Sequence, residues 1–120
     1  MGQIAGWRRD WEAVCLLNHW QDRPESGPLA SSVIETNLSI TALAKDLGHP
    51  TPKPVSLMET LLGHCKPEWR ILDPFAGTGS TLLAARNLGR KAIGFELDER
   101  HCEMAARRLS QQLLDFEETT

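Results

Sequence analysis

Two acids bracket a glycine turn in the C-terminal half of the chain. Asp73 closes the aliphatic run ILD, the turn PFAGTGST (74–81) follows, and Glu96 stands near the end of a second aliphatic run, KAIGFEL (91–97). A glycine-rich turn after a strand usually offers backbone N–H groups to a phosphate. This turn has the wrong companions for that ligand. A G-x-x-x-x-G-K-[ST] loop needs its lysine, and GTGST has none; a G-x-G-x-x-G fingerprint needs a third glycine at 82, where Leu82 stands. Asp73 at the strand end would also repel a pyrophosphate, by about 4 kcal/mol at ~4 Å for an effective dielectric of ~20. The ligand is therefore expected to be cationic or zwitterionic on this side.

Glu96 stands seventeen positions after Gly79, close to the spacing of roughly 20 residues at which an acid receives a ribose diol. A nucleoside that carries positive charge in place of phosphates suits both acids. S-adenosylmethionine is such a molecule, with its ammonium and sulfonium toward Asp73 and its ribose toward Glu96. The competing explanation is an ordinary βαβ turn whose glycines only permit tight geometry. Other candidates are weaker. His64-Cys65 and His101-Cys102 lack the C-x-x-C spacing of a zinc site and fall in helical sequence. Arg107-Arg108 is assigned to a solvated helix face, and Trp7, Trp11 and Trp20 to core or interface packing.

The elements that must hold these residues follow from the flanking pattern. Residues 70–73 are expected as a strand, with Ser80 capping a helix over 80–89 that ends at Gly89, a C′ glycine. A second strand is expected over 91–96. Asp98 then caps a helix over 98–114 whose Cys102, Ala105, Ala106, Leu109 and Leu113 share one face. Two strands joined through such a helix should be parallel with a right-handed crossover. Upstream, Pro54 is placed at the first turn of a helix that buries Leu57, Met58, Leu61 and Leu62. WEAVCLLNHW (11–20) reads as a buried strand and SSVIETNLSI (31–40) as a half-exposed one, separated by the turn-forming QDRPESGPLA. The tail 115–120 is polar and expected to fray.

Composition bounds the rest. At 120 residues the chain is one domain at most, and short for a catalytic α/β fold. A net charge of −3 gives no general attraction to a polyanion, so any DNA contact must be local. No apolar run approaches the ~18 residues that span a bilayer. The N-terminus MGQIAGWRRD lacks the apolar stretch of a signal peptide, which makes the cytoplasm the expected location. Cys15, Cys65 and Cys102 are odd in number, which argues for reduced thiols.

HPTPKP (49–54), ILDPFAGTGST (71–81) and AIGFELDERHCEMAARRL (92–109), in this order and at this spacing, resemble the amino-group DNA methyltransferases that act on adenine N6 or cytosine N4. They are similar to the permuted group in which HPT-x-KP precedes the glycine loop, and the likeness covers roughly the C-terminal 70 residues. GWRRDWEAVCLLN more loosely resembles the late-sheet strand region of that family. The resemblance implies a partial S-adenosylmethionine-dependent, Rossmann-like α/β fold, three-layered with a mainly parallel sheet. It implies late-sheet strands and a connection over 1–48, and a cofactor-binding portion over 49–114. It also implies that Asp73, Phe75, Gly77 and Gly79 line the methionine end of S-adenosylmethionine, that Glu96 accepts from the ribose hydroxyls, and that Thr51 and Lys53 sit beside the carboxylate.

One departure qualifies that implication. The family polarises the target amino group with a [DNS]-PP-[YFW] tetrapeptide and stacks it on a flipped base, whereas all seven prolines here are isolated and no Pro-Pro pair exists. The chain is therefore expected to be the cofactor-binding part of such an enzyme, working on DNA only with a protein partner or a self-associated copy that completes the sheet. A non-catalytic S-adenosylmethionine-binding module and a truncated remnant are the alternatives.

Overall fold

Pro52 and Pro54 keep the backbone extended up to the first helix of the computed structural model, which describes residues 13–15, 17, 33–36 and 52–117. Helix α1 spans Val55–Gly63, with Pro54 as its N-cap at φ −61° and ψ 135°. Proline has no N–H to lose there and its ring pre-sets φ, while its carbonyl accepts the Met58 N–H at 3.3 Å. Of the four residues expected to be buried along α1, only Leu62 is, at 9 % exposure; Leu57, Met58 and Leu61 are half-buried. Among the described residues one neighbouring helix covers α1, so only a narrow stripe is sealed there. That neighbour supplies Ala84 and Ala85, and Val55, Met58, Cys65, Ile71 and Ala92 pack around the resulting core.

Strand β1 (Ile71–Asp73) and strand β2 (Ala92–Gly94) pair in parallel, in the register Ile71↔Ala92, Leu72↔Ile93 and Asp73↔Gly94. The expected strand over 91–96 is shorter as a paired element, yet its backbone continues the ladder. The Phe95 N–H donates to the Asp73 carbonyl at 2.8 Å, and the Phe95 carbonyl accepts the Ala76 N–H at 2.8 Å. Beyond Phe95, the Glu96 side chain takes over the bonding of the turn.

Helix α2 (Ser80–Asn87) connects the strands. Its N-cap is Gly79, not Ser80: no side chain caps the helix, and the Ser80 hydroxyl is buried without a partner among the described residues. Ser80 already has helical geometry, and the left-handed Gly79 before it makes the entry. At the other end Gly89 behaves as the sequence indicates. Its φ is +66°, its N–H reaches the Arg86 carbonyl at 2.9 Å, and the Arg90 N–H reaches the Ala85 carbonyl at 2.8 Å. These two bonds form a Schellman motif. Arg90 then anchors the loop after α1, donating from Nη1 to the Lys66 carbonyl (2.7 Å) and from Nη2 to the Cys65 carbonyl (2.9 Å).

Asp98 caps helix α3 (Glu99–Glu117), its Oδ1 accepting the Arg100 N–H at 2.9 Å. The helix runs beyond 114, into the segment read as a fraying tail. Its contact face is also rotated from the expected one. Ala105 is buried and Leu109 half-buried, but Cys102 and Ala106 are exposed, while Met104 and Arg108 are half-buried. The reason is Gly79: an added Cβ there would lie 2.8 Å from Ala105 Cβ, so the helix approaches the turn through Ala105 and turns its flanks accordingly.

The described residues form a βαβ unit covered on one face. Leu72, Ile93 and Phe95 on the opposite face are 66 %, 62 % and 60 % exposed, so the expected third layer is not contributed by the described residues. Residues 13–15, 17 and 33–36 carry no strand, against the expectation for 11–20 and 31–40, and Val14 and Leu17 are exposed where a buried strand is expected. No neighbouring described strand pairs with them, and an unpaired segment has no ladder to join. The rest of those two segments, with Trp7, Trp11 and Trp20, lies outside the described residues. Among the described residues no helix is long and apolar enough to cross a membrane.

Candidate functional site

The ends of β1 and β2 open onto two adjacent clefts that share the glycine turn as a wall. The larger cleft, about 640 Å³, is lined by Phe75, Gly77, Glu96, Leu97, Asp98 and His101. The smaller, about 180 Å³, lies on the other side of the turn and includes Lys53, Asp73, Phe75, Gly77, Ser80 and Thr81 in its lining. A volume of a few hundred Å³ at the carboxyl ends of parallel strands is where α/β sheets bind ligands.

Glu96 ties the turn to β2. Its Oε2 accepts the Gly77 N–H at 2.7 Å, and its Oε1 accepts the N–H groups of Leu97 and Asp98, both at 2.9 Å. These bonds, the one from Asp98 first and that from Gly77 second, hold the carboxyl below its ordinary range. An ionised carboxylate offers about four acceptor positions, and three are filled. About one remains for a ligand hydroxyl.

Asp73 is half-buried, and its Oδ1 accepts the Phe75 N–H at 3.0 Å. This local bond closes the turn that leaves β1, and Asp73 lines the smaller cleft. Phe75 itself is 87 % exposed, an apolar ring over both clefts. Gly77 has φ +53°, which lets the turn present its N–H to Glu96. Asp98 is held by Arg100, whose guanidinium lies 2.9 Å from Oδ2; this pairing lowers its pKa to about 2.

The residues singled out in the sequence thus divide. Lys53, Asp73, Phe75 and Gly77 meet at the smaller cleft, and Phe75, Gly77 and Glu96 at the larger one. Gly79 lines neither cleft; it packs on Ala105 and starts α2. Thr51 lies outside the described residues. Sequence reasoning did not single out Ser80, Thr81, Leu97, Asp98 and His101 as lining. The signal for the last three was available, because any residue that opens a helix directly after Glu96 must border the same cleft. Arg108 was assigned to solvent, and instead its Nη1 donates to the Thr78 carbonyl (2.6 Å) and hydroxyl (3.1 Å). Arg107 does face solvent, 3.8 Å from Glu103.

A parallel βαβ unit whose strands end in an acid-led glycine turn and in a carboxylate belongs with the nucleoside-binding α/β folds. The chain is a member of the DNA methylase family of the N6/N4 type, whose model matches residues 12–107. It is 40 % identical over 109 residues to the type II methyltransferase M.HindIII of Haemophilus influenzae, covering 89 % of this chain and 32 % of that protein. It is 44 % identical over 63 residues to the putative methylase YubD of Escherichia coli, covering 52 % of this chain and 28 % of that one. A solved M1.HpyAVI complex with SAM has 43 % identity and a TM-score of 0.49, over 50 % of this chain and 30 % of that one. The chain therefore spans about a third or less of the length of these relatives.

Proposed function

We propose that this chain is the S-adenosylmethionine-binding part of a DNA amino-methyltransferase acting on adenine N6 or cytosine N4. The observation that carries the reading is the placement of Glu96, two residues past β2 and bonded to the glycine turn in the wall of the larger cleft, with Asp73 in the lining of the smaller one. Membership of the methylase family supports it.

The residues suit this cofactor. Of the three carboxylates that line the two clefts, Asp98 is paired with Arg100, which leaves Asp73 and Glu96 beside Lys53, the one lysine or arginine of those linings; this balance favours a ligand with cationic groups and a single anionic end. The buried Ser80 hydroxyl, in the smaller cleft and without a partner among the described residues, is unused hydrogen-bonding capacity for a polar ligand group. Glu96 has room for about one ribose hydroxyl; a second would have to displace a backbone donor. Lys53 would meet the carboxylate of the methionine end, and Thr51 is placed beside it by sequence alone. When bound, the cofactor supplies an electrophilic methyl on sulfur. The contribution of this chain is to hold and orient that group. Polarising an amino nitrogen of DNA requires a fixed acceptor, and no [DNS]-PP-[YFW] tetrapeptide occurs in the 120 residues. Methyl transfer is therefore proposed to need a further segment that carries it, through a protein partner or association. The absence of the tetrapeptide equally suits a module that binds the cofactor without transferring from it.

Calorimetric titration with S-adenosylmethionine tests the reading. The wild-type chain should bind, and Glu96→Ala should bind at least about tenfold more weakly, because truncation removes both the ligand acceptor and the tie to Gly77. An unchanged dissociation constant in the folded variant removes Glu96 from the site.

A further inference from the structure

The glycine turn is held on its underside by a cation. Arg108, half-buried on α3, gives one nitrogen to both the carbonyl and the hydroxyl of Thr78. Thr78 is 4 % exposed, lines the smaller cleft, and stands between two left-handed residues, Gly77 at φ +53° and Gly79 at φ +83°. From the opposite side Glu96 takes the Gly77 N–H. Two consecutive residues of the wall between the clefts are thus gripped by groups of opposite charge, one from the segment after β2 and one from α3.

We propose that Arg108 is a positioning residue for the ligand site: it fixes the Thr78 peptide, and with it the wall that both clefts present to the cofactor. The inference rests on the cofactor reading above. Glycine populates positive and negative φ about equally, so sterics alone do not fix a peptide flanked by glycines. Hydrogen bonds must do it, and those from a charged donor are the stronger kind. Burial lowers the pKa of Arg108, yet a guanidinium stays charged across the working range. Lysine is one bond shorter and lacks the planar fork, so it replaces this grip only in part.

The fold also contains a control. Arg86 of α2 donates from Nη1 to the Leu109 carbonyl, tethering the same helix at the residue after Arg108. The test uses the full chain and three variants: Arg108→Met, Arg108→Lys and Arg86→Met. It reads the S-adenosylmethionine dissociation constant, the melting temperature, and ligand-free amide exchange at Gly77, Thr78 and Gly79. Arg108→Met should weaken binding about tenfold and speed exchange at the three turn amides, with Arg108→Lys intermediate. Arg86→Met should lower the melting temperature while the dissociation constant stays within about twofold. Wild-type exchange at the turn in Arg108→Met overturns the proposal, and so does equal weakening by the two methionine variants, which would make helix anchoring the cause. If Arg108→Met does not fold, Arg108→Lys decides by the same readouts. A wild-type chain that takes no cofactor defeats the functional reading, and exchange at the turn then decides the role of Arg108 by itself.

Discussion

Glu96 and Gly77, nineteen positions apart, are joined by a 2.7 Å hydrogen bond from the glycine N–H to Oε2. The bond makes one carboxylate serve two ends, as an acceptor facing the larger cleft and as the strut of the turn that walls it. A change at Glu96 therefore reaches the ligand by two routes.

Acid should open this strut. Glu96 is lowered from 4.5 when folded, so its contribution is fully present above that value and is lost as pH falls through the depressed folded value. Asp98 follows the same sign: its contribution to the start of α3 is present above 3.8 and lost as pH falls toward about 2. An amide chemical-shift titration separates them, because Gly77 reports Glu96 and Arg100 reports Asp98. The Gly77 amide is expected to titrate with a midpoint below 4.5. A midpoint above that value would sink the assignment.

Gly79→Ala should destabilise the fold by about 2–5 kcal/mol. An added Cβ lies 2.8 Å from Ala105 Cβ and 3.3 Å from its Cα, so α3 must move away. Overpacking of this kind costs about 1–3 kcal/mol. The φ of +83° adds about 1–2 kcal/mol for a residue with a side chain. The double variant Gly79→Ala with Ala105→Gly separates the two causes, since it relieves the Cβ–Cβ contact and leaves the backbone penalty. Urea unfolding of both single variants and of the double variant measures this, because Ala105→Gly alone costs about 1 kcal/mol inside a helix; losses that simply add in the double variant would show that packing against Ala105 is not limiting.

The legible parts of the molecule were those in which local chemistry and tertiary contact agree. Gly89 ends α2 as its position indicates, Asp98 caps α3, and the parallel pairing follows from strand, helix and strand lengths. Where a contact from a distant element decides, the local pattern misled. Helical periodicity placed Cys102 and Ala106 on the contact face of α3, but the close approach of Gly79 selects Ala105 and swings Arg108 under the turn. Ser80 looks like a cap by residue type, and only the left-handed geometry of Gly79 shows that the helix has already begun. The clefts lie beside the acids that the sequence singles out. The order of Asp73, glycines and Glu96 is plain along the chain, whereas the three backbone donors on Glu96, which limit what a ligand can add, depend on how the turn folds back.

Purified alone, the chain is expected to transfer no methyl group to DNA even when it holds the cofactor. The amino nitrogen of a base has its lone pair delocalised into the ring, and attack on an electrophile needs an acceptor fixed where charge develops. Seven isolated prolines and no Pro-Pro pair leave the chain without the tetrapeptide that serves this purpose in the family it belongs to. Incubation with DNA and methyl-labelled cofactor, against a protein-free control, decides the matter: label in the DNA means that some other group in these residues provides the acceptor.

The sheet should recruit a further strand. Ile71 donates to Lys91 and Asp73 accepts from Phe95, so these two residues direct their backbone toward β2. In a parallel strand the residue between them directs its N–H and carbonyl the other way. Leu72 therefore points both groups at an edge with which no described strand pairs. Its side chain, with Ile93 and Phe95, leaves an apolar face uncovered on the same two strands. A free edge beside an apolar face is a template for β-addition. A strand that carries the [DNS]-PP-[YFW] tetrapeptide, absent from these 120 residues, is the occupant proposed here. Until it is supplied, copies of the chain should pair with one another. Size-exclusion chromatography with light scattering is expected to show a mass that rises with concentration, and Leu72→Lys should reduce the rise by setting a charge on the uncovered face. A concentration-independent monomer with a protected Leu72 amide would mean instead that the chain covers this edge itself, and the expectation of a partner would fall.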